Sequence, residues 1–361
     1  MALFTSTAFP SRISRKVIEL SRQGTRFLKQ KRLKDAEDVF IKALAIDPQN
    51  PYILVGLGDL FREKKDFETS INYYGIVLQN DPVNIFALRG IGDSYRGLEK
   101  LTDAIEYWHK YLEEKSDDNK VMTRLGDAYK KLEEYKKSES YYLQSLSIYA
   151  HDKYALLGIG DLYYKMEEYD KALCYFDKLL AIDENFINIL TMAGNICRHR
   201  QDYNRAKEYY QRALNLESDN TYAIFGLGDC ERGMLNYMDA VNWWKRIIEK
   251  EPENQTLLTR IGDAYLGADQ YDKATEYFQK SLDIGFNPFA LLGFSRLYQK
   301  QGKIKKAISV CEQVLEFKPN HLRALDELVK LCTEDRDKKK AKEYEAKLRS
   351  FRSNSVSKYI K

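Results

Sequence analysis

The amino-acid sequence predicts an all-α fold built from a tandem array of antiparallel helix pairs. Apolar residues follow helical spacing along the chain, and no segment alternates between polar and apolar residues for long enough to suggest a strand. Glycine recurs at a constant interval, at Gly24, Gly58, Gly92, Gly126, Gly160, Gly194, Gly228 and Gly262. A fixed period of this kind is the sequence signature of a repeat architecture.

Each repeat contains two apolar stripes when the recurring glycine is numbered as position 8. Positions 4, 7, 8 and 11 form the first stripe; in the repeat that starts at residue 153 they are Leu156, Ile159, Gly160 and Tyr163. Positions 20, 24 and 27 form the second; in the same repeat they are Ala172, Phe176 and Leu179. Both spacings place the residues on one face of a helix. One helix pair cannot bury its own stripe, so stacked neighbours must share a continuous core.

These residues resemble the tetratricopeptide repeat family, whose units are about 34 residues long. Its pattern has Leu-Gly at positions 7 and 8, Tyr at 11, Ala at 20, an aromatic residue at 24, Ala at 27 and Pro at 32. Residues 156–183 match most of it, and Pro48, Pro82, Pro252 and Pro319 stand at position 32, where proline can end a helix. The resemblance implies a right-handed superhelical solenoid, with the first helices lining a concave groove and the second helices on the convex outside.

The resemblance divides the chain into nine tandem repeats over residues 17–321. We expect them to start at residues 17, 51, 85, 119, 153, 187, 221, 255 and 288, the eighth being one residue short. Residues 322–349 keep the frame but carry Val329 in place of the glycine, so they are interpreted as a degenerate tenth repeat that caps the array as a helix pair. We expect residues 1–16 to form a flexible arm and residues 350–361 a disordered tail.

Charge is unevenly distributed. The net charge is +4, but residues 1–34 and 300–361 each carry +8, while residues 35–299 carry −12. The basic ends are interpreted as solvated caps, or as surfaces through which one copy docks on the acidic body of another to form a homo-oligomer. Nucleic acid is a disfavoured partner, because the basic segments lack stacking aromatic residues and base-reading elements.

No motif in the sequence indicates catalysis. Glycine-rich stretches such as Gly56–Asp59 lie inside predicted helices, where a dinucleotide fingerprint would need a preceding strand. The four histidines lie far apart and the five cysteines form no C-x-x-C pair, so we expect no enzyme, metal site or cofactor. No stretch approaches the roughly 18 apolar residues of a membrane span. We expect a cytoplasmic protein, or a periplasmic or exported one if a signal sequence has been removed.

The family's geometry places positions 2, 5, 6, 9, 12 and 13 in the concave groove. Position 9 carries Asp59, Asp93, Asp127, Asp161, Asn195, Asp229 and Asp263, and position 12 carries Arg62, Arg96, Lys130, Arg198 and Arg232. One interpretation is a ladder of hydrogen-bond donors and acceptors for an extended peptide. In the other, each helix neutralises its own charges at i, i+3 spacing, or Asp simply replaces the Asn that is common in the family. The family's clamp for a carboxylate uses Lys and Asn on successive first helices, and the aspartates at position 9 argue against it.

A second period, twice as long as the first, overlies it. Aromatic residues at position 2 accompany glycine at position 6 in the pairs Tyr52/Gly56, Phe86/Gly90, Tyr154/Gly158, Tyr222/Gly226 and Phe289/Gly293. Alternate repeats carry Arg124, Met192 and Arg260 at position 6. We hypothesise that a ring beside a missing side chain forms a shallow aromatic pocket at every second repeat; the alternative is duplication of an ancestral pair of repeats.

The sequence therefore predicts a non-enzymatic scaffold that binds a protein or an extended peptide in its groove. The alternative is a self-associating structural protein. The predicted binding residues are those at positions 2, 9 and 12 named above, with Arg124 and Arg260.

Overall fold

A computed structural model describes residues 12–356, with side chains from 15 to 351, and every regular element within that range is an α-helix. Twenty helices follow one another in these residues, and consecutive helices pack as antiparallel pairs, so the fold is an all-α repeat solenoid. Two compact units divide at Ile182 and Asp183, and each is described by itself.

The first unit contains ten helices. They are α1 (Arg12–Lys29), α2 (Leu33–Leu44), α3 (Pro51–Glu63), α4 (Phe67–Asn80), α5 (Ile85–Gly97), α6 (Leu101–Glu114), α7 (Asn119–Lys131), α8 (Tyr135–Ile148), α9 (Lys153–Lys165) and α10 (Tyr169–Ile182). Odd-numbered helices are the first and even-numbered helices the second of each pair. First helices also contact the next first helix, as α3 does with α5 and α7 with α9.

The second unit repeats this arrangement. Its helices are α11 (Ile187–His199), α12 (Tyr203–Leu216), α13 (Thr221–Gly233), α14 (Tyr237–Ile248), α15 (Gln255–Gly267), α16 (Tyr271–Ile284), α17 (Pro288–Lys300), α18 (Ile304–Phe317), α19 (Leu322–Glu334) and α20 (Lys338–Val356). The last pair, α19 and α20, packs on α18 and keeps the core continuous through Leu328 and Cys332.

Both chain ends are more helical than the sequence predicts. Helix α1 begins at Arg12, so residues 12–16 do not belong to a flexible arm; the buried Val17 packs into the core of the first repeat, and the turn before it is helical. Helix α20 continues to Val356, past residue 350 where the predicted tail begins, and Leu348 is buried just before that point. The remainder of both predicted segments, residues 1–11 and 357–361, lies outside the described residues.

Side chains at the ends of the repeats cap most of the first helices. Asn50, Asp152 and Asn220, for example, accept hydrogen bonds from backbone amides in the first turns of α3, α9 and α13. Such caps satisfy amides that have no partner inside the helix. They also fix the direction in which the first turn presents its side chains.

The turn between the two helices of a repeat places position 15 in the left-handed backbone region. Glu167, for example, has φ 60°, and the next amide, that of Glu168, donates to the carbonyl oxygen of Tyr163 at 2.9 Å. This is the hydrogen bond of a Schellman turn. Among the described repeats only the ninth uses glycine at this position, where Gly302 has φ 68°.

Glycine at position 8 is required by the core. In the fifth repeat a methyl group on Gly160 would lie 2.6 Å from the ring of Phe176, the aromatic residue at position 24 of the same repeat. Phe176 is fully buried. The backbone of the first helix therefore lies directly against the aromatic ring of the second helix. Glycine destabilises a helix relative to alanine, and the chain carries it at position 8 because only glycine permits this close contact.

We predict that Gly302→Ala lowers the free energy of unfolding by about 1 kcal/mol, because alanine is strained at φ 68°. The matched control is Gly75→Ala in the interior of α4, which should raise it by roughly 0.5–1 kcal/mol. An added Cβ meets no atom within 4 Å at either site, so the two substitutions differ only in backbone conformation. Urea unfolding measures both changes, and a loss at both sites would contradict this explanation.

We predict that Gly160→Ala destabilises the protein by about 1–3 kcal/mol, because the added methyl group would lie 2.6 Å from the ring of the fully buried Phe176. Thermal unfolding followed by circular dichroism measures the effect against the same Gly75→Ala control. An unchanged midpoint in Gly160→Ala would show that the two helices do not pack as closely as described.

Candidate functional site

Aromatic rings at position 2 project from the first turns of the first helices. The side chains of Tyr52, Tyr154 and Tyr222 are 76%, 78% and 77% exposed, and those of Phe86 and Phe289 are about half exposed. N-terminal caps hold the backbone beneath some of these rings: the amides of Tyr52, Tyr154 and Phe289 each donate to a capping side chain. The three tyrosines are the most exposed of the large hydrophobic residues that the structure describes, ahead of Leu235 at 69% and Phe317 at 68%.

The predicted shallow pocket beside each ring does not exist. A methyl group on Gly56, at position 6 of its repeat, would lie 2.5 Å from the ring of Phe40, at position 24 of the preceding repeat. The same overlap occurs between Gly158 and Tyr142. The space left by the missing side chain is therefore filled from below by the core, so the hypothesis of a ring-and-glycine pocket is wrong.

The tyrosines at position 24 reach the residue at position 9 of their own repeat. The Tyr74 hydroxyl donates to Oδ1 of Asp59 at 2.8 Å, and the Tyr210 hydroxyl donates to Oδ1 of Asn195 at 2.8 Å. Burial raises the pKa of Tyr74 above its usual range, and the charge of Asp59 raises it further. The hydroxyl therefore stays protonated as a donor. Asp127 accepts in the same way from Tyr142.

Cations at position 12 reach across to the next repeat. Arg62 donates to Oδ2 of Asp93 at 2.8 Å, and Lys130 lies 2.8 Å from Oδ2 of Asp161. Arg198 pairs with Asp229 in the same way. The cations at position 12 therefore pair mainly with the next repeat, whereas the alternative interpretation expected pairs within one helix. Two such i, i+3 pairs do form, Asp59–Arg62 at 2.8 Å and Asp229–Arg232 at 3.6 Å.

Two of the predicted peptide-binding aspartates are buried. The side chains of Asp93 and Asp229 are 5% and 2% exposed, and arginines cover both. Arg124 lies 3.3 Å from Asp93, and Arg260 lies 2.5 Å from Asp229. These two carboxylates cannot contact an extended peptide, so for them the prediction of a ladder of acceptors is wrong. They serve to hold the arginines in place.

The buried aspartates belong to two equivalent clusters, one in each compact unit. The first arginine cluster consists of Arg62, Asp93, Arg96 and Arg124, and the second consists of Arg198, Asp229, Arg232 and Arg260. Every member of the second stands four repeat lengths after its counterpart in the first. Aligning the sequence with itself at a shift of four repeats would have found both clusters. Shifts of one or two repeats do not align them with each other.

Each cluster leaves positive charge on the surface of its unit. Burial lowers the pKa of Arg124; Asp93 opposes this effect, and the positive charges of Arg96, Arg89 and Arg62 lower the pKa further. Burial also lowers the pKa of Arg260, where Asp229 opposes the effect and Arg232 adds to it. In neither cluster does the aspartate neutralise all the guanidinium groups around it.

The other predicted binding residues are neither as buried as Asp93 and Asp229 nor as exposed as the rings of Tyr52, Tyr154 and Tyr222. Arg96 and Arg232 are exposed, and Asp161 and Asp263 are partly exposed. Asp263 accepts from Nη2 of Arg296 at 2.5 Å. Arg296 is at position 9 of the ninth repeat, where an acidic residue is usual in this chain, and the sequence analysis missed it.

A cavity opens beside the exposed end of each arginine cluster. The first has a volume of about 590 Å³ and the second about 520 Å³. Residues at equivalent positions of the repeat line both. In the first cavity these residues are Arg96, Asn119, Lys120, Thr123, Arg124, Asp127, Asp152, Lys153 and Tyr154. In the second they are Arg232, Gln255, Thr256, Thr259, Arg260, Asp263, Asn287, Pro288 and Phe289. Tyr149 and His151 complete the first cavity, and Phe286, Lys318 and Arg323 complete the second.

Buried hydroxyl groups tie the wall of each cavity to the core. The hydroxyls of Thr123 and Ser145 lie 2.8 Å apart, and Asn119 donates to Oδ2 of Asp152 at 2.7 Å. In the second cavity Asn287 donates to the hydroxyl of Ser281 at 2.9 Å, and Thr259 lies within hydrogen-bonding distance of both. Satisfied buried networks of this kind fix side-chain positions.

Within residues 12–356 no group of three or more His, Cys, Asp or Glu side chains is arranged to hold a metal ion. None of the helices in that range is long and apolar enough to cross a membrane. The predictions of oligomeric state and cellular compartment remain predictions.

Comparison with known proteins decides the family. Three sequence profiles, each described as tetratricopeptide repeat, match residues 21–85, residues 117–185, and residues 187–220, 256–284 and 290–321. Together they cover more than half of the chain. The protein belongs to the tetratricopeptide repeat family. Proteins of this family are generally protein-interaction scaffolds. No functionally curated protein matches the sequence.

Several solved structures are similar to parts of this tetratricopeptide repeat protein. Pseudomonas aeruginosa pilF is 18% identical with a TM-score of 0.52, covering 59% of this chain and 97% of that one. MamA is 26% identical with a TM-score of 0.43, covering 45% and 95%. YrrB, described as a TPR protein with an unusual peptide-binding site, is 24% identical with a TM-score of 0.46, covering 51% and 95%. The similarity to pilF supports the fold alone.

We predict that Asp229→Asn lowers the free energy of unfolding by about 3 kcal/mol, because Arg198 and Arg260 lose the buried charge that pairs with them. Urea unfolding measures the loss. The control is Asp219→Asn, which removes a carboxylate from an exposed pair with Lys250 and should leave the midpoint unchanged. Equal behaviour of the two variants would contradict a structural role for the buried aspartate.

Proposed function

We propose that this protein is a non-enzymatic scaffold that binds a protein or an extended peptide on the face formed by the first helices. The observation that carries the proposal is that exposed rings recur at position 2 in both units, above all Tyr52 and Tyr154 in the first and Tyr222 in the second. Single exposed apolar residues are normal on a protein surface, but these rings recur at one position of the repeat, and large aromatic residues are enriched among those that dominate interface energies.

The backbone beneath these rings supports the same function. Caps and buried hydroxyl networks hold the first turns in place, so an aromatic anchor there loses little conformational entropy on binding. Polar groups accompany one of the rings, because Asp127 and Arg96 line the same cavity as Tyr154. A polar rim around apolar anchors is the usual arrangement of a protein interface.

The second helices provide the contrast that makes the proposal testable. Most of their exposed apolar residues are single and not aromatic, such as Ile41, Leu143 and Met238; Phe317 at the end of α18 is an exception. Isolated exposed aliphatic residues are normal on a soluble protein. Replacing them controls for a general loss of surface hydrophobicity.

We predict that Tyr52→Ala/Tyr154→Ala/Tyr222→Ala reduces the recovery of bound proteins from a cell lysate at least tenfold, because interface anchors typically contribute more than about 1 kcal/mol each. Quantitative mass spectrometry of material retained by the immobilised full chain measures recovery. The control is Ile41→Ala/Leu143→Ala/Met238→Ala, which should retain the same proteins as the unmodified chain. Unchanged recovery by the tyrosine variant, or equal loss in both variants, would refute the proposal.

A further inference from the structure

We propose that each compact unit carries a binding site for a phosphorylated side chain of a partner peptide, formed by its arginine cluster and the adjacent cavity. This inference rests on the proposed function and specifies the chemistry that a partner must present. It uses the cavities of about 590 and 520 Å³ described above, both within the usual size range of ligand sites.

The first step of the argument is the charge of the lining. Four cationic side chains and two aspartates line the first cavity; the cations are Arg96, Lys120, Arg124 and Lys153. Four cationic side chains and one aspartate line the second; the cations are Arg232, Arg260, Lys318 and Arg323. The buried Asp93 and Asp229 pair with Arg124 and Arg260, so with them counted the formal excess is one positive charge at the first cavity and two at the second. Both cavities therefore favour an anion, and a phosphomonoester carries about −1.5 to −2 at neutral pH.

The second step is the geometry of the donors. Asp93 holds Arg124 from beneath, and Asp229 holds Arg260 in the same way. Arg96 and Arg232 join them at the edge of the cavities, one repeat earlier in the chain. Guanidinium groups present several N–H donors in a fixed plane and bind phosphate oxygens in bidentate fashion. Arg124 and Arg260 are positioned in advance by their aspartates, so they lose little entropy when the ligand arrives.

The third step is that an anion relieves an existing imbalance. The pKa of Arg124 and that of Arg260 lie below the usual value for arginine, because burial and neighbouring arginines together outweigh the paired aspartate. A bound dianion would supply the missing negative charge. The same imbalance recurs four repeats later in an independently packed unit, which supports a shared role for both clusters.

The fourth step concerns the residue next to the phosphate. Tyr154 lines the first cavity and Phe289 lines the second, and both residues are exposed. A peptide whose phosphate occupies the cavity would place a neighbouring side chain against this ring. The site therefore fits a phosphorylated side chain beside an apolar one, and a free phosphate ion would use only part of it.

The experiment uses the full chain and three fluorescein-labelled peptide libraries of equal length. Each has four randomised residues on either side of a fixed centre, which is phosphoserine, serine or glutamate. We expect fluorescence anisotropy to show binding of the phosphoserine library at least tenfold tighter than that of the other two, with affinity falling as salt rises. Excess inorganic phosphate should compete weakly, because it lacks the contact with the ring.

Variants locate the site. Arg96→Gln/Arg232→Gln should weaken binding of the phosphoserine library about tenfold without unfolding the chain, because both side chains are exposed. Arg96→Lys/Arg232→Lys keeps the charge and loses the planar donors, so its affinity should be intermediate. The control is Lys110→Gln/Lys280→Gln, which removes two exposed cations, one from each unit, on second helices.

The outcomes separate this inference from the proposed function. Equal binding of the glutamate and phosphoserine libraries, or equal loss in the control and arginine variants, would overturn the phosphate site. Competition by inorganic phosphate as strong as by the peptides would also overturn it, because a free ion would then be sufficient. The proposed function fails separately, if partner recovery from a lysate does not depend on Tyr52, Tyr154 and Tyr222.

Discussion

The structure depends on one packing contact, in which the aromatic ring at position 24 lies between two first helices. The ring presses on the glycine at position 8 of its own repeat, as Phe176 does on Gly160. Where the next repeat carries glycine at position 6, the same ring fills that space as well, as Tyr142 does at Gly158. One side chain therefore fixes the distance between the helices of a repeat and the distance to the next repeat. Because each repeat contacts only its neighbours, this contact transmits order along the array.

The sequence predicted this framework because its determinants are local and periodic. The glycine at position 8 recurs in each of the first eight repeats and apolar stripes mark both helices, so the fold class and the family followed directly. The ring-and-glycine pocket was a wrong prediction for a physical reason. The residues at positions 2 and 6 of one helix were considered together, while the group that fills the space comes from the preceding repeat, as Phe40 does at Gly56. Contacts between repeats are not visible in the pattern of one repeat.

The ion pairs that the charged residues form could not be predicted from the pattern of one repeat either. Asp93 and Asp161 stand at the same position of the repeat, yet one is buried under arginines and the other is partly exposed beside Lys130. The difference arises from residues on the neighbouring repeats, and the i, i+3 spacing along one helix contains no information about it. A regular row of aspartates in the sequence thus corresponds to several local environments in the structure.

The residue at position 24 explains which environment forms. A tyrosine there donates its hydroxyl to position 9, as Tyr74 does to Asp59, and the first helix of the next repeat then carries glycine at position 6. Tryptophan has no such hydroxyl, and the repeats that contain Trp108 and Trp244 are those whose aspartates are buried under arginines. The repeats that follow them supply an arginine at position 6. Tryptophan in the core at position 24 therefore occurs together with arginines at the surface of the next repeat. The packing residue at position 24 and the charged groups of the candidate site vary together.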